Sequence, residues 1–112
     1  MTPTPPAPLP PHLFHILLAL AERDLHGLGI MHEVLERTGG RVRLWPGMLY
    51  RNLQRLAREG WIASADRPAM PEAGSPRYYR LTPAGRRRCA GEAERLAALV
   101  AVARARRLLR KT

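Results

Sequence analysis

A chain of 112 residues has room for one small domain, only marginally able to stabilise itself alone. Nineteen Lys and Arg against nine Asp and Glu leave a formal charge of +10, which favours a polyanionic partner, either nucleic acid or an anionic membrane surface. The single cysteine, Cys89, excludes an internal disulfide and a cysteine-built metal site, and no stretch approaches the ~20 apolar residues of a membrane span.

Lys111 is the one lysine, so an arginine-rich GC-biased genome also accounts for part of the charge. No basic segment followed by an apolar run opens the chain, and the expected setting is reducing and cytoplasmic. Residues 1–10 carry proline without periodicity and are expected to form a disordered arm. Pro11 then suits a first helical position, where its missing N–H has no partner to lose. The helix it opens is predicted over residues 11–23. Leu13, Phe14, Ile16, Leu17, Leu18 and Leu20 leave it almost no polar face. One small domain covers one side of such a helix, and a second subunit is expected on the other.

Residues 24–27 break the pattern and start a second helix, predicted to about residue 38 with Ile30, Met31, Val34 and Leu35 inward. Gly39-Gly40 stops it, and residues 41–45 form a short extended connector. The third helix is predicted over residues 46–60. At 100° per residue Leu49, Leu53 and Leu56 share one face, while Gly47, Arg51, Gln54 and Arg58 fall opposite, flanked by Tyr50 and Arg55. Arginine donates two parallel bonds to guanine and glutamine pairs with adenine, so this face suits the major groove.

Residues 61–65 and 77–81 read as two strands around a proline- and glycine-rich loop, too long for a tight hairpin and better suited to a wing. Tyr79 and Leu81 share one side of the second strand, Tyr78 and Arg80 the other. Thr82-Pro83 is an N-cap followed by a first-turn proline, opening a last helix predicted toward Lys111. Along it Cys89, Ala93, Leu96, Val100 and Ala103 recur in steps of four and three, with Leu99 beside them. Such a seam on a long final helix calls for a partner. The tail from Arg104 is basic and frays into solvent.

Three helices, a two-stranded wing and a long helix make the chain mainly α with a small β wing. The layout is a winged helix-turn-helix domain (residues 11–82) with a C-terminal dimerisation helix and basic tail (residues 83–112). The chain also resembles the PadR-type transcriptional regulators. The resemblance lies in Leu25-His26-Gly27-Leu28-Gly29-Ile30, in Trp45-Pro46-Gly47-Met48-Leu49-Tyr50 with Leu53, Leu56, Glu59 and Gly60, and in Arg77-Tyr78-Tyr79-Arg80-Leu81-Thr82-Pro83-Ala84-Gly85-Arg86. It implies a repressor of the smaller subgroup, whose single C-terminal helix builds the dimer.

The family usually has Tyr at the position of Leu28, Ser or Thr at those of Trp45 and Met48, and Pro at that of Arg51. Trp45 cannot cap the third helix with a side-chain oxygen, at a cost of about 1 kcal/mol. Some small relatives hold planar drugs between tryptophans of the last helix; this one has none, so that chemistry is not carried over.

The expected DNA-binding residues are therefore Gly47, Met48, Tyr50, Arg51, Gln54, Arg55, Arg58 and Arg77, on a palindromic duplex. The expected homodimer interface is Phe14, Leu17, Leu18, Ala93, Leu96, Leu99, Val100 and Ala103. A small apolar or aromatic ligand between the first and last helices would change the spacing of the two reading helices. The small residues Ala93, Ala97 and Ala103 equally allow a fully packed junction with no cavity.

No cofactor and no metal are expected. His12, His15, His26 and His32 lack any His-Glu-x-x-His spacing and read as helix-surface or cap residues rather than catalytic ones. Cys89 reads as a small core residue. A dimeric winged-helix adaptor without DNA binding is the alternative function, but it has no use for three arginines on one exposed face. The tail, with Leu108 and Leu109 alone as apolar residues, is too short for membrane anchoring.

Overall fold

The computed structural model describes residues 7–65 and 77–110. Its elements are α1 (Pro11–Glu22), β1 (Leu25–His26), α2 (Gly27–Arg37), α3 (Pro46–Arg58), β2 (Ile62–Ala65), β3 (Tyr78–Leu81) and α4 (Pro83–Ala105). The chain is mainly helical with a small antiparallel sheet, as its pattern predicts. The sheet has three strands rather than two, in the order β1-β3-β2. β1 is the strand the sequence conceals: Leu25 pairs with Tyr79 and His26 with Tyr78, and two residues are too few to display any alternation.

Leu13, Ile16, Leu17 and Leu20 of α1 meet Ile30 and Val34 of α2 and Leu49, Leu53 and Leu56 of α3 in one core. Leu44 from the connector and Ile62 from β2 close it, and Tyr79 and Leu81 pack against it from β3. The sheet thereby ties the wing to the helix triad. α2 is capped by His26, whose Nδ1 accepts from the Gly29 N–H at 2.9 Å. α4 opens as its sequence predicts: Thr82 Oγ1 accepts from the Gly85 N–H at 3.0 Å, with Pro83 in the first turn. The Thr82 hydroxyl also donates to the Gly60 carbonyl at 2.6 Å, fastening the start of α4 to the end of α3.

Two expectations are revised. The helical part of α4 ends at Ala105 rather than near Lys111; Arg107 adopts a positive φ of 61°, which the helix cannot continue through. Of the predicted disordered arm, residues 1–6 lie outside the described residues, as do residues 67–76 of the wing loop. Residues 7–10, by contrast, dock on α4. Leu9 is 5 % exposed, its N–H donates to Glu92 Oε1 at 3.2 Å, and Arg88 donates to the Ala7 carbonyl.

Glu92 also changes the reading of α4. It is 3 % exposed and faces the domain together with Gly85 and Cys89, whereas its neighbour Ala93 faces solvent. Arg95 satisfies the carboxylate, Nε to Oε1 at 2.9 Å and Nη2 to Oε2 at 2.6 Å. These Arg95 bonds, with the Leu9 N–H, hold the Glu92 carboxyl below the usual carboxylate range. A depressed carboxyl pKa contributes stability that is present above the unfolded value, about 4.3, and is lost as pH falls through the folded value. Stability is expected to fall in acid below that point, and Glu92→Gln, followed by urea unfolding as a function of pH, is expected to lack this component.

Candidate nucleic-acid interface

α3 is built as an inner apolar row and an outer polar one. Leu49, Leu53 and Leu56 are at most 1 % exposed, while Gly47, Tyr50, Arg51, Gln54, Arg55 and Arg58 are exposed. The guanidinium groups of Arg51, Arg55 and Arg58 make no hydrogen bond or ion pair among the described residues. Arg55 and Arg58 lie in the last turn, where the negative end of the helix dipole favours them. Met48, expected with the reading residues, is half-buried and packs against the core instead, leaving little of it for the outer row.

The fold brings the second half of the predicted site to the first. His26, Gly27, Leu28, Tyr50 and Arg77 line one cleft of about 190 Å³ between the start of α2, α3 and the wing. A Cβ at Gly27 would sit 2.9 Å from Tyr50 Oη and 3.3 Å from its ring, so glycine there leaves room for the Tyr50 phenol against the start of α2. Tyr50 and Arg77, far apart in the chain, thus become neighbours of the N–H groups that open α2. A phenol, a guanidinium and helix-terminal N–H groups together suit a phosphate oxygen.

His26 is the participant that residue pattern finds only as a cap. Its Nδ1 accepts from the Gly29 N–H, which leaves Nε2 as the ring's free edge, and it packs edge-on to Tyr78 at 5.1 Å. Leu28 is 53 % exposed at the rim of the same cleft. Of the other histidines, His12 and His32 are exposed. His15 accepts from Arg37 through Nδ1 at 3.1 Å, and Arg37 in turn pairs with Glu33. Burial of Cys89 pushes its thiol pKa up, which disfavours the thiolate, and the residue packs in the core cluster.

The residues expected at a subunit interface separate into three groups by burial. Leu17 is fully buried in the chain's own core and can support an interface only from beneath. Phe14, Leu18, Leu96 and Ala103 are half-buried, and Ala93, Leu99 and Val100 are exposed. No residue from 97 to 105 is buried, although Leu99, Val100 and Val102 are 56 %, 41 % and 46 % exposed. No helix among the described residues is long and apolar enough to cross a membrane.

Against known proteins, the model of the transcriptional regulator PadR-like family matches residues 16–91. Over 72 residues the chain is 42 % identical to the transcriptional regulator Rv3488 of Mycobacterium tuberculosis, covering 64 % of this chain and 63 % of that protein. The match therefore spans less than two thirds of that relative's length. A transcriptional regulator from Clostridium thermocellum has a similar structure, with TM-score 0.69 and 27 % identity over 80 % of this chain and 84 % of the other. Bacillus subtilis PadR, solved in complex with operator DNA, shares the fold at TM-score 0.59 and 23 % identity, over 72 % of this chain and 45 % of its own.

Proposed function

This chain belongs to the PadR-like family of transcriptional regulators, and on that ground we propose that it is a cytoplasmic, homodimeric repressor that reads a palindromic operator and is released by a small ligand. The observation that carries the DNA-reading role is the outer row of α3, whose arginines have no partner among the described residues. Arg51 and Gln54 read base edges from the middle of the helix, and Arg55 and Arg58 follow the backbone. Tyr50 and Arg77, gathered in the cleft at the start of α2, hold a phosphate and set the register. Two such helices related by dimer symmetry meet half-sites about one turn, roughly 34–36 Å, apart.

Arg51→Ala is expected to relax preference at particular bases and to cost about 1–3 kcal/mol on the selected operator. Arg77→Ala is expected to weaken all sequences alike and to reduce the salt slope by about one unit. In-vitro selection followed by titrations at several salt concentrations separates the two. Uniform weakening by both, with unchanged selected sequences, would refute this division of roles.

The dimer reading is supported by the apolar residues that α4 leaves uncovered and by Phe14 and Leu18 of α1, which the chain's own core covers only in part. The two α1/α4 pairs then set the distance between the reading helices. An apolar or aromatic molecule between Phe14, Leu96 and Leu99, with Leu17 beneath, would change that distance. Full release requires it to prefer the incompetent state by about 5.5 kcal/mol. Operator release in a screen of hydrophobic cations and phenolic acids tests this. The ligand-gated reading fails if compounds bind the dimer without weakening its grip on DNA.

A further inference from the structure

Between α2 and α3 the chain runs without regular structure, and its burial alternates. Val42 packs against the core and Leu44 is 1 % exposed, while Arg41, Arg43 and Trp45 face outward. Trp45 is 62 % exposed, the most exposed aromatic ring among the large hydrophobic residues, and stands outside the core cluster. It occupies the N-cap of α3 and makes no side-chain cap bond there. The Arg43 guanidinium lies 5.6 Å from its ring centroid, which steadies the indole by a cation–π contact and keeps a positive charge beside it. An N-cap is where a short oxygen-bearing side chain stabilises a helix most. This chain forgoes that bond and sets its largest apolar side chain in water, at the end of the helix that enters the groove first.

We propose that Trp45, held by Arg43, is a DNA-contacting residue that lays its indole on apolar carbon of the operator, beside the first turn of α3. The proposal rests on the DNA-reading role of α3. Two surfaces of a duplex offer that chemistry at the groove edge: the deoxyribose carbons and the thymine C5 methyl. Arg43 then lies close to the neighbouring phosphate. The affinity contributed this way is sequence-tolerant on sugar and sequence-selective on methyl, so Trp45 is either a clamp or a reader of thymine.

The test uses the full chain and a duplex recovered by selection with it. Trp45 emission is expected to change on saturation with operator, whereas the Trp45→Phe chain, which retains Trp61 alone, shows no comparable change. Trp45→Ser restores a capping oxygen, so its Tm is expected to rise while operator affinity falls about tenfold. A merely structural tryptophan would move both in the same direction. Replacing thymine by uracil across the site identifies the surface: a loss at one position marks the methyl, and no loss marks deoxyribose. Unchanged emission at saturation, with Trp45→Ser binding as tightly as the parent, overturns the proposal and leaves the reading of α3 intact. A parent chain that selects no duplex overturns both.

Discussion

Gly85→Ala is expected to destabilise the protein by about 3 kcal/mol or more, a large share of the stability of a domain this size. Gly85 lies in the first turn of α4, where the helix is pressed onto the backbone that leads from α3 into the wing. A Cβ there would stand 1.9 Å from the Trp61 carbonyl oxygen, 2.8 Å from its carbon and 2.9 Å from Leu81 Cδ1. The first two atoms are backbone and have no rotamer by which to yield. That carbonyl also accepts from the Thr82 N–H at 3.1 Å, so relieving the clash breaks the joint between α4 and the wing. Gly91, in the same helix, has open space at its Cβ position. Gly91→Ala is therefore expected to stabilise by roughly 0.5–1 kcal/mol through helix propensity. Urea unfolding of the two variants should give opposite signs. Equal small effects would mean that the start of α4 is not held as closely as its geometry implies.

Leu99→Glu combined with Val100→Glu is expected to convert a dimer into a folded monomer. Both side chains are exposed within the protomer, so the charges do not enter its core, and glutamate keeps the helix. Leu96 is the poorer choice, because it is half-buried in the same chain and a charge there would disturb the protomer as well. With the two reading helices unlinked, each half-site binds on its own, and operator affinity is expected to fall on the order of a hundredfold or more. Light scattering at micromolar concentration with far-UV circular dichroism checks the first part, and operator titration the second. A persistent dimer with both glutamates in place would rule out this face of α4 as the subunit contact.

The sequence by itself determined the features that depend on neighbours along the chain. The spacing of Leu49, Leu53 and Leu56 predicts both the buried side of α3 and, by exclusion, its basic outer row, because a helix converts spacing into direction. Thr82-Pro83 announces the start of α4 for the same local reason, and Gly39-Gly40 the end of α2. Three separate motifs in order carry the family resemblance without any knowledge of contacts.

Only the tertiary structure decided the features that depend on residues brought together from a distance. β1 exists because Leu25 and His26 find β3, more than fifty residues later, and no two-residue pattern can announce that. Tyr50 and Arg77 line one cleft although 27 residues separate them in the chain, and the missing Cβ of Gly27 leaves the room that the Tyr50 phenol occupies there. Leu9 leaves its proline-rich surroundings for the core because Glu92 offers its N–H an acceptor. Glu92 itself defeats the pattern most directly. A carboxylate ordinarily marks the solvent side of a helix, and this one turns inward because Arg95 and the Leu9 N–H replace the water it gives up. Local spacing is enough to orient a side chain relative to its own helix. What that side chain then meets is settled by the packing of the whole chain.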